Sequence, residues 1–162
     1  MKVLVAAGTR PEAIKLAPVI LELRKDATVL FCSTGQHREI FDQALAPWGL
    51  QADIDLNLMT PNQQLGALTS AVLDRMVPVM TDFQPDWIVV QGDTTTAMAA
   101  ALAAFYERRP VAHVEAGLRT GDRFNPFPEE VNRKVIDAVS ELMFAPTERA
   151  AANLRAEGYH AS

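Results

Sequence analysis

Three carboxylates stand where apolar runs give way to polar turns. Asp93 lies in Gln91-Gly92-Asp93-Thr94-Thr95-Thr96, Glu115 in His113-Val114-Glu115-Ala116-Gly117-Leu118-Arg119-Thr120, and Glu129 in Pro126-Phe127-Pro128-Glu129-Glu130-Val131-Asn132-Arg133. Glu115 follows an apolar run directly, which predicts partial desolvation. Burial raises a carboxylate's pKa and a neighbouring arginine lowers it, so such a group suits acid/base work. Each carboxylate also has a plain structural reading. An aspartate in Asp93's position commonly caps the following helix, and an acidic residue such as Glu129 in a helix's first turn is an ordinary partner of the helix dipole. Singly, the structural reading weighs at least as much as the chemical one. Together, three carboxylates among several arginines place charges of both signs in one crevice. That arrangement suits proton transfer beside a phosphate leaving group.

Two further turns add cations and anion-binding backbone. Gly8-Thr9-Arg10-Pro11-Glu12 has the Thr-x-x-Glu spacing of a capping box and a proline suited to a first helical turn. Its glycine lets a ligand approach the backbone, the helix N-terminus favours an anion, and Arg10 adds a full charge. A well-capped helix with a solvated arginine explains the same residues equally well. The stretch is neither a Gly-x-Gly-x-x-Gly dinucleotide fingerprint nor a Lys-Ser/Thr phosphate loop. Thr34-Gly35-Gln36-His37-Arg38-Glu39 carries hydrogen-bonding heads and an arginine, and on composition alone reads as a surface turn. Cys32 sits between apolar neighbours and reads as a small core residue. His113, at the end of an apolar run, reads as a hydrogen-bonded structural histidine. The methionines read as core filler.

These turns are positioned by short β-rich runs alternating with helical patterns. Strands are expected at Val3–Ala7, Thr28–Ser33, Ala52–Leu56, Trp87–Gln91, Pro110–Val114 and Glu141–Ala145. Helices are expected at Arg10–Lys25, His37–Ala46, Gln63–Phe83, Thr94–Tyr106, Glu129–Val139 and Thr147–Glu157. The first should bury Ile14, Leu16, Ala17, Ile20, Leu21 and Leu23 and kink at Pro18; Leu65, Leu68, Val72, Leu73 and Met76 fall at helical spacing in the third, whose end Pro78 should disturb. The alanine-rich helix must pack closely, and the prolines before Glu129 should hold their loop extended. The pattern implies an α/β fold: a parallel sheet with helices on both faces, in three layers. Ligands of such sheets bind outside the carboxyl ends of the strands, where all five polar turns fall.

Composition narrows the function. With 162 residues the chain is one domain, and 49% hydrophobic against 22% charged residues suffices for a core. Its longest apolar run, Ala97 to Phe105, is far short of the roughly 20 residues that cross a bilayer. A net charge of −5 argues against coating nucleic acid. One cysteine gives no internal disulfide, and no ligand spacing suggests a metal. The N-terminal apolar stretch is too short for a signal peptide, so a cytoplasmic protein is expected. The ending, Glu157-Gly158-Tyr159-His160-Ala161-Ser162, reads as a helix end approaching another strand, so the chain is expected to be the first half of a longer protein.

The five turns, in this order and spacing, resemble the motifs of the bacterial non-hydrolysing UDP-N-acetylglucosamine 2-epimerases: Gly8 to Lys15, Gly35 to Glu39, Gln91 to Thr96, His113 to Gly121 and Pro126 to Arg133. Any one block is weak; the set spans the chain and is specific. The resemblance implies a Rossmann-like N-terminal domain of a two-domain fold like that of the GT-B glycosyltransferases. It implies interconversion of UDP-N-acetylglucosamine and UDP-N-acetylmannosamine without a cofactor, by C2 proton removal and UDP loss through 2-acetamidoglucal. It casts Asp93, Glu115 and Glu129 as the acid/base and transition-state carboxylates. Arg10 and Arg133 would hold the diphosphate, Lys15 would orient the polar cluster, and Gln36 and His37 would join a regulatory UDP-N-acetylglucosamine site. A homodimer is expected of the full-length family member. The family's catalytic histidine and most uridine contacts belong to a C-terminal domain, so these 162 residues alone should turn over little or nothing. A hydrolysing relative, releasing N-acetylmannosamine and UDP, would share the same motifs. A non-catalytic nucleotide-sugar-binding fragment is the alternative of another class.

Overall fold

The computed structural model describes residues 1–35, 38–58, 60 and 62–159, with the side chains of 38–40 left undescribed. Six strands form one parallel sheet: β1 Lys2–Ala7, β2 Thr28–Ser33, β3 Ile54–Asp55, β4 Trp87–Gln91, β5 Val111–Val114 and β6 Leu142–Phe144. Their spatial order is β3-β2-β1-β4-β5-β6. The chain therefore winds outward one way from β1 and the other way from β4, and the switch point lies between these two neighbours, where Val3 pairs with Trp87 and Val5 with Val89. The helices are α1 Arg10–Leu23, α2 Arg38–Leu45, α3 Leu65–Phe83, α4 Thr95–Tyr106, α5 Glu129–Val139 and α6 Glu148–Ala156.

Strand alternation divides the core in two. Leu4, Ala6, Ile88 and Val90 face a layer built from α3, α4 and Ile136 of α5. Val3, Val5, Ala7 and Val89 face the other layer, built from α1 and from Phe41, Ala44 and Leu45 of α2. Successive strand side chains point to opposite faces, so a sheet covered on both sides must be apolar at nearly every position. In α4 six alanines from Ala97 to Ala104 are buried. A helix apolar on nearly every side fits only where neighbours surround it, and alanine lets α3, α5 and the sheet come close.

Several expectations are corrected. α1 buries Ala13, Leu16, Ala17 and Ile20, spaced i, i+3, i+4 and i+7, whereas Ile14 and Leu21 are about 40% exposed. Leu65 is likewise exposed, and α3 buries Leu68, Val72, Met76, Val79 and Met80. Pro18 and Pro78, where a kink and a disturbed end are expected, lie inside helices that continue past them. Pro18 and Pro78 lie on exposed faces, where water can serve the carbonyls that lose a backbone partner. The segment before α5 is not extended. The Thr120 hydroxyl donates to the Asn125 carbonyl at 2.6 Å and the Asn125 amide to the Asp122 carbonyl at 3.0 Å, closing a compact turn. Both of its prolyl bonds, at Pro126 and Pro128, are cis. No helix among the described residues is long and apolar enough to cross a membrane.

Candidate functional site

The switch point is stitched by Glu12. This residue, 1% exposed, closes the expected capping box of α1, and one carboxylate oxygen accepts from the Gly8 and Thr9 amides at 3.0 and 2.6 Å. The other oxygen accepts from the Thr94 hydroxyl at 2.8 Å, which ties the turn after β1 to the turn after β4. Burial pushes the Glu12 pKa up, against the pull of these donors. Gly8 must be glycine here, since a Cβ would stand 2.5 Å from the hydroxyls of both Thr34 and Thr96.

Thr94, not Asp93, caps α4: its hydroxyl accepts from the Ala97 amide at 3.0 Å. The capping explanation for Asp93 is thereby removed. Its carboxylate instead meets Arg133 Nη2 at 2.5 Å, and its carbonyl accepts from Asn132 Nδ2 at 2.9 Å. Arg133 is only 7% exposed and is held from the other side by Glu130, 3.2 Å from Nη1. Its Nε is buried without an acceptor among the described residues. A buried N–H left unpaired is costly, on the order of 1–3 kcal/mol.

Glu115 leaves the end of β5 with φ +74°, a left-handed conformation a glutamate rarely adopts. The amides of Glu115 and Ala116 both donate to the Phe144 carbonyl, at 3.0 and 3.1 Å, which fixes that conformation. The side chain is 24% exposed and accepts from Lys15 Nζ at 2.5 Å. Glu129 opens α5, one turn before Arg133 and on the same face. Its side chain makes no hydrogen bond or ion pair among the described residues, and neither does that of exposed Arg10 at the start of α1. The structure thus pairs Asp93 with Arg133 and Glu115 with Lys15, puts Glu129 beside the first pair by helical spacing, and puts Arg10 at the switch point. Gln36 and His37 lie outside the described residues, as does His160.

Two groups escaped the sequence reading. Glu130 accepts from the amides of Thr120 and Gly121, at 3.0 and 3.1 Å, as well as from Arg133. Burial raises its pKa, but these donors and the Arg133 charge bring it below the ordinary value. The i, i+3 spacing to Arg133 was the available signal. Asp137, fully buried, meets His113, Arg119 and the Gly117 amide; nothing local in the sequence marks a pairing across 24 residues. His113 is the hydrogen-bonded structural histidine expected. Cys32 is buried in the core, its thiol pushed up to about 12 by burial and by the charge of Asp55, and is therefore inert. Met76 and Met80 fill the core, while Met1 is 64% exposed. No group of three or more His, Cys, Asp or Glu among the described residues is arranged to hold a metal ion.

The arrangement can exchange protons at carboxylates of differing environment beside fixed cations and two helix N-termini. The family model described as UDP-N-acetylglucosamine 2-epimerase matches residues 20–162. The UDP-N-acetylglucosamine 2-epimerase of Neisseria meningitidis serogroup A is 52% identical over 97% of this chain and 43% of its own length. That of Salmonella typhimurium is 50% identical over 97% of this chain and 42% of its own length. A crystal structure of the Neisseria meningitidis UDP-GlcNAc 2-epimerase, bound to UDP-GlcNAc, superposes with a TM-score of 0.96 at 51% identity, covering 99% of this chain and 44% of that one. The chain spans under half the length of the relatives it matches.

Proposed function

Because the chain belongs to the UDP-N-acetylglucosamine 2-epimerase family, we propose that it supplies the carboxylate-bearing wall of an isomerase that interconverts UDP-N-acetylglucosamine and UDP-N-acetylmannosamine. The observation that carries this reading is the Asp93–Arg133 pair. Thr94 takes over the capping role, and Asp93 is left facing a nearly buried guanidinium whose buried Nε–H has no acceptor among the described residues. Such a site pairs a proton-transferring group with a cation for phosphate oxygens.

In the proposed reaction a carboxylate takes the proton from sugar C2. The C–H electron pair forms the C1=C2 double bond of 2-acetamidoglucal, and the C1–O bond breaks with its pair leaving on UDP. Protonation of C2 from the opposite face and return of UDP to C1 give the manno epimer. Asp93, Glu115 and Glu129 are the acid/base and transition-state carboxylates. Arg133 and Arg10 bear on the diphosphate, where a guanidinium neutralises charge as the leaving group develops it. Lys15 orients Glu115 through their ion pair. The active unit we propose has a second, nucleotide-binding domain, is a cytoplasmic homodimer, and uses neither cofactor nor metal. A wall alone neither encloses nor orients the substrate, so little turnover is expected of the 162 residues by themselves.

Proton NMR in deuterated water with UDP-N-acetylglucosamine tests the reading. The chain is assayed alone, and as a chimera replacing the matching segment of the Neisseria meningitidis relative. Loss of the C2 proton signal with the manno epimer appearing in the chimera supports it. Release of free N-acetylmannosamine makes the chain part of a hydrolysing enzyme instead. A chimera that folds and binds the substrate without exchanging C2 leaves a non-catalytic binding module.

A further inference from the structure

The turns bearing Asp93 and Glu115 leave neighbouring strands, β4 and β5, and a single buried side chain reaches both. Asp137, on α5, has no exposure. Its Oδ1 lies 2.6 Å from His113 Nδ1, and His113 Nε2 lies 2.7 Å from the carbonyl oxygen of Gly92, next to Asp93. Its Oδ2 accepts from the amide of Gly117, two residues after Glu115, at 3.3 Å and from Arg119 Nη2 at 2.8 Å. A carbonyl only accepts, so Nε2 carries a hydrogen. The Asp137 carboxylate, receiving a guanidinium and an amide on Oδ2, shares a hydrogen with Nδ1 through Oδ1. Through its two ring nitrogens His113 thus bridges the Asp137 carboxylate and the Gly92 carbonyl.

We propose that Asp137 is a positioning residue. Through His113 it fixes the Gly92–Asp93 turn, through the Gly117 amide it fixes the Glu115 turn, and so it sets the two carboxylates in one register. The proposal rests on the epimerase reading. Replacing a buried ion pair by apolar residues of similar volume often costs a fold nothing. Packing alone therefore does not call for this cluster, whereas its hydrogen bonds end on the backbone of both turns. Asn132 clamps the Asp93 carbonyl from the same helix, so α5 holds that turn at two successive residues.

Two measurements test the proposal. In the unmodified chain, nitrogen-15 NMR of the His113 ring should find a hydrogen on Nε2, facing the Gly92 carbonyl; a ring with its hydrogen on Nδ1 alone overturns the arrangement. In the chimera, Asp137→Asn should leave the KM for UDP-N-acetylglucosamine within about twofold and lower kcat about 100-fold, the scale of a 1 Å misplacement of reacting groups. Val72→Ala, a core cavity in α3 remote from these turns, controls for lost stability. An Asp137→Asn chimera with unchanged kcat, or a Val72→Ala chimera with the same loss, overturns the proposal. If Asp137→Asn does not fold, His113→Gln, which keeps a donor near Gly92 but not the link to Asp137, must show the same kcat loss. An unsubstituted chimera without C2 exchange defeats the epimerase reading instead, and is recognised before any variant is made.

Discussion

At the scale of single residues, the decisive fact is which neighbour takes the ordinary work. Thr94 caps α4, so Asp93 does not; Glu130 holds the loop amides of Thr120 and Gly121, so Glu129 does not. In each adjacent pair one side chain serves the backbone and the other does not. Asp93→Asn keeps an acceptor for Arg133 and removes only the titrating group. In the chimera it should lower C2 proton exchange by roughly 100- to 10,000-fold, the usual size of an acid/base contribution, with a melting temperature close to that of the parent. A loss below tenfold would make Asp93 merely the guanidinium's partner. Arg133→Lys is the complementary change. One ammonium cannot span Asp93 and Glu130, and Glu130, being buried, would be left with a charge poorly paired. Denaturant unfolding should then report a loss of about 3 kcal/mol, the scale of a broken buried pair, and activity should fall with it.

At the scale of elements, the turns are held by close approaches that tolerate no added atom. Gly117 has φ +82°, and a Cβ there would lie 2.4 Å from the Ala150 carbonyl oxygen in α6. Gly117→Ala therefore has to push α6 away or rotate the Glu115 turn. We expect roughly 2–4 kcal/mol of lost stability from strain and overpacking, read by chemical denaturation; an unchanged midpoint would mean α6 is free to shift. These approaches mark the limit of what the sequence discloses. The strands and helices were legible because β-branched runs and helical spacing are local signals, as were the capping box at Thr9–Glu12 and the five polar turns. The inward face of α1 was only half legible, because Ile14 and Leu21 are as apolar as the residues beside them and only the sheet decides which side is covered. The site pairings were less legible still. Asp93 meets Arg133 and His113 meets Asp137 only because β4, β5 and α5 stack, and the distance along the chain carries no trace of that.

At the scale of the whole molecule, two buried acids and one at the rim of their cluster, set against buried Glu12, decide how the fold answers to pH. Asp137, Glu130 and Glu157 all lie below their ordinary values. For Asp137 and Glu130 burial works the other way and is outweighed, by His113 and Arg119 in the first case and by the Thr120 and Gly121 amides and Arg133 in the second. For Glu157 the hydrogen bonds from Arg119 are the main cause. A carboxyl depressed on folding stabilises fully above its unfolded pKa, about 4, and that stability is lost as pH falls through the folded value. Glu12 runs opposite: raised by burial, it stabilises fully at low pH and loses that contribution as pH rises through its folded value. On acidification the three depressed carboxyls lose stability while Glu12 gains it. The melting temperature should hold through neutral pH and fall progressively below about pH 5. The slopes of variants separate the two senses. Glu157→Gln, at the rim of the cluster, should flatten the acid limb, because one of the three depressed groups is gone. Glu12→Gln should steepen it, because the group that gains on protonation no longer offsets the others, whatever the variant costs in absolute stability. If Glu12→Gln also flattens the limb, the native carboxylate at the switch point is held below its ordinary value, and its three hydrogen bonds outweigh its burial.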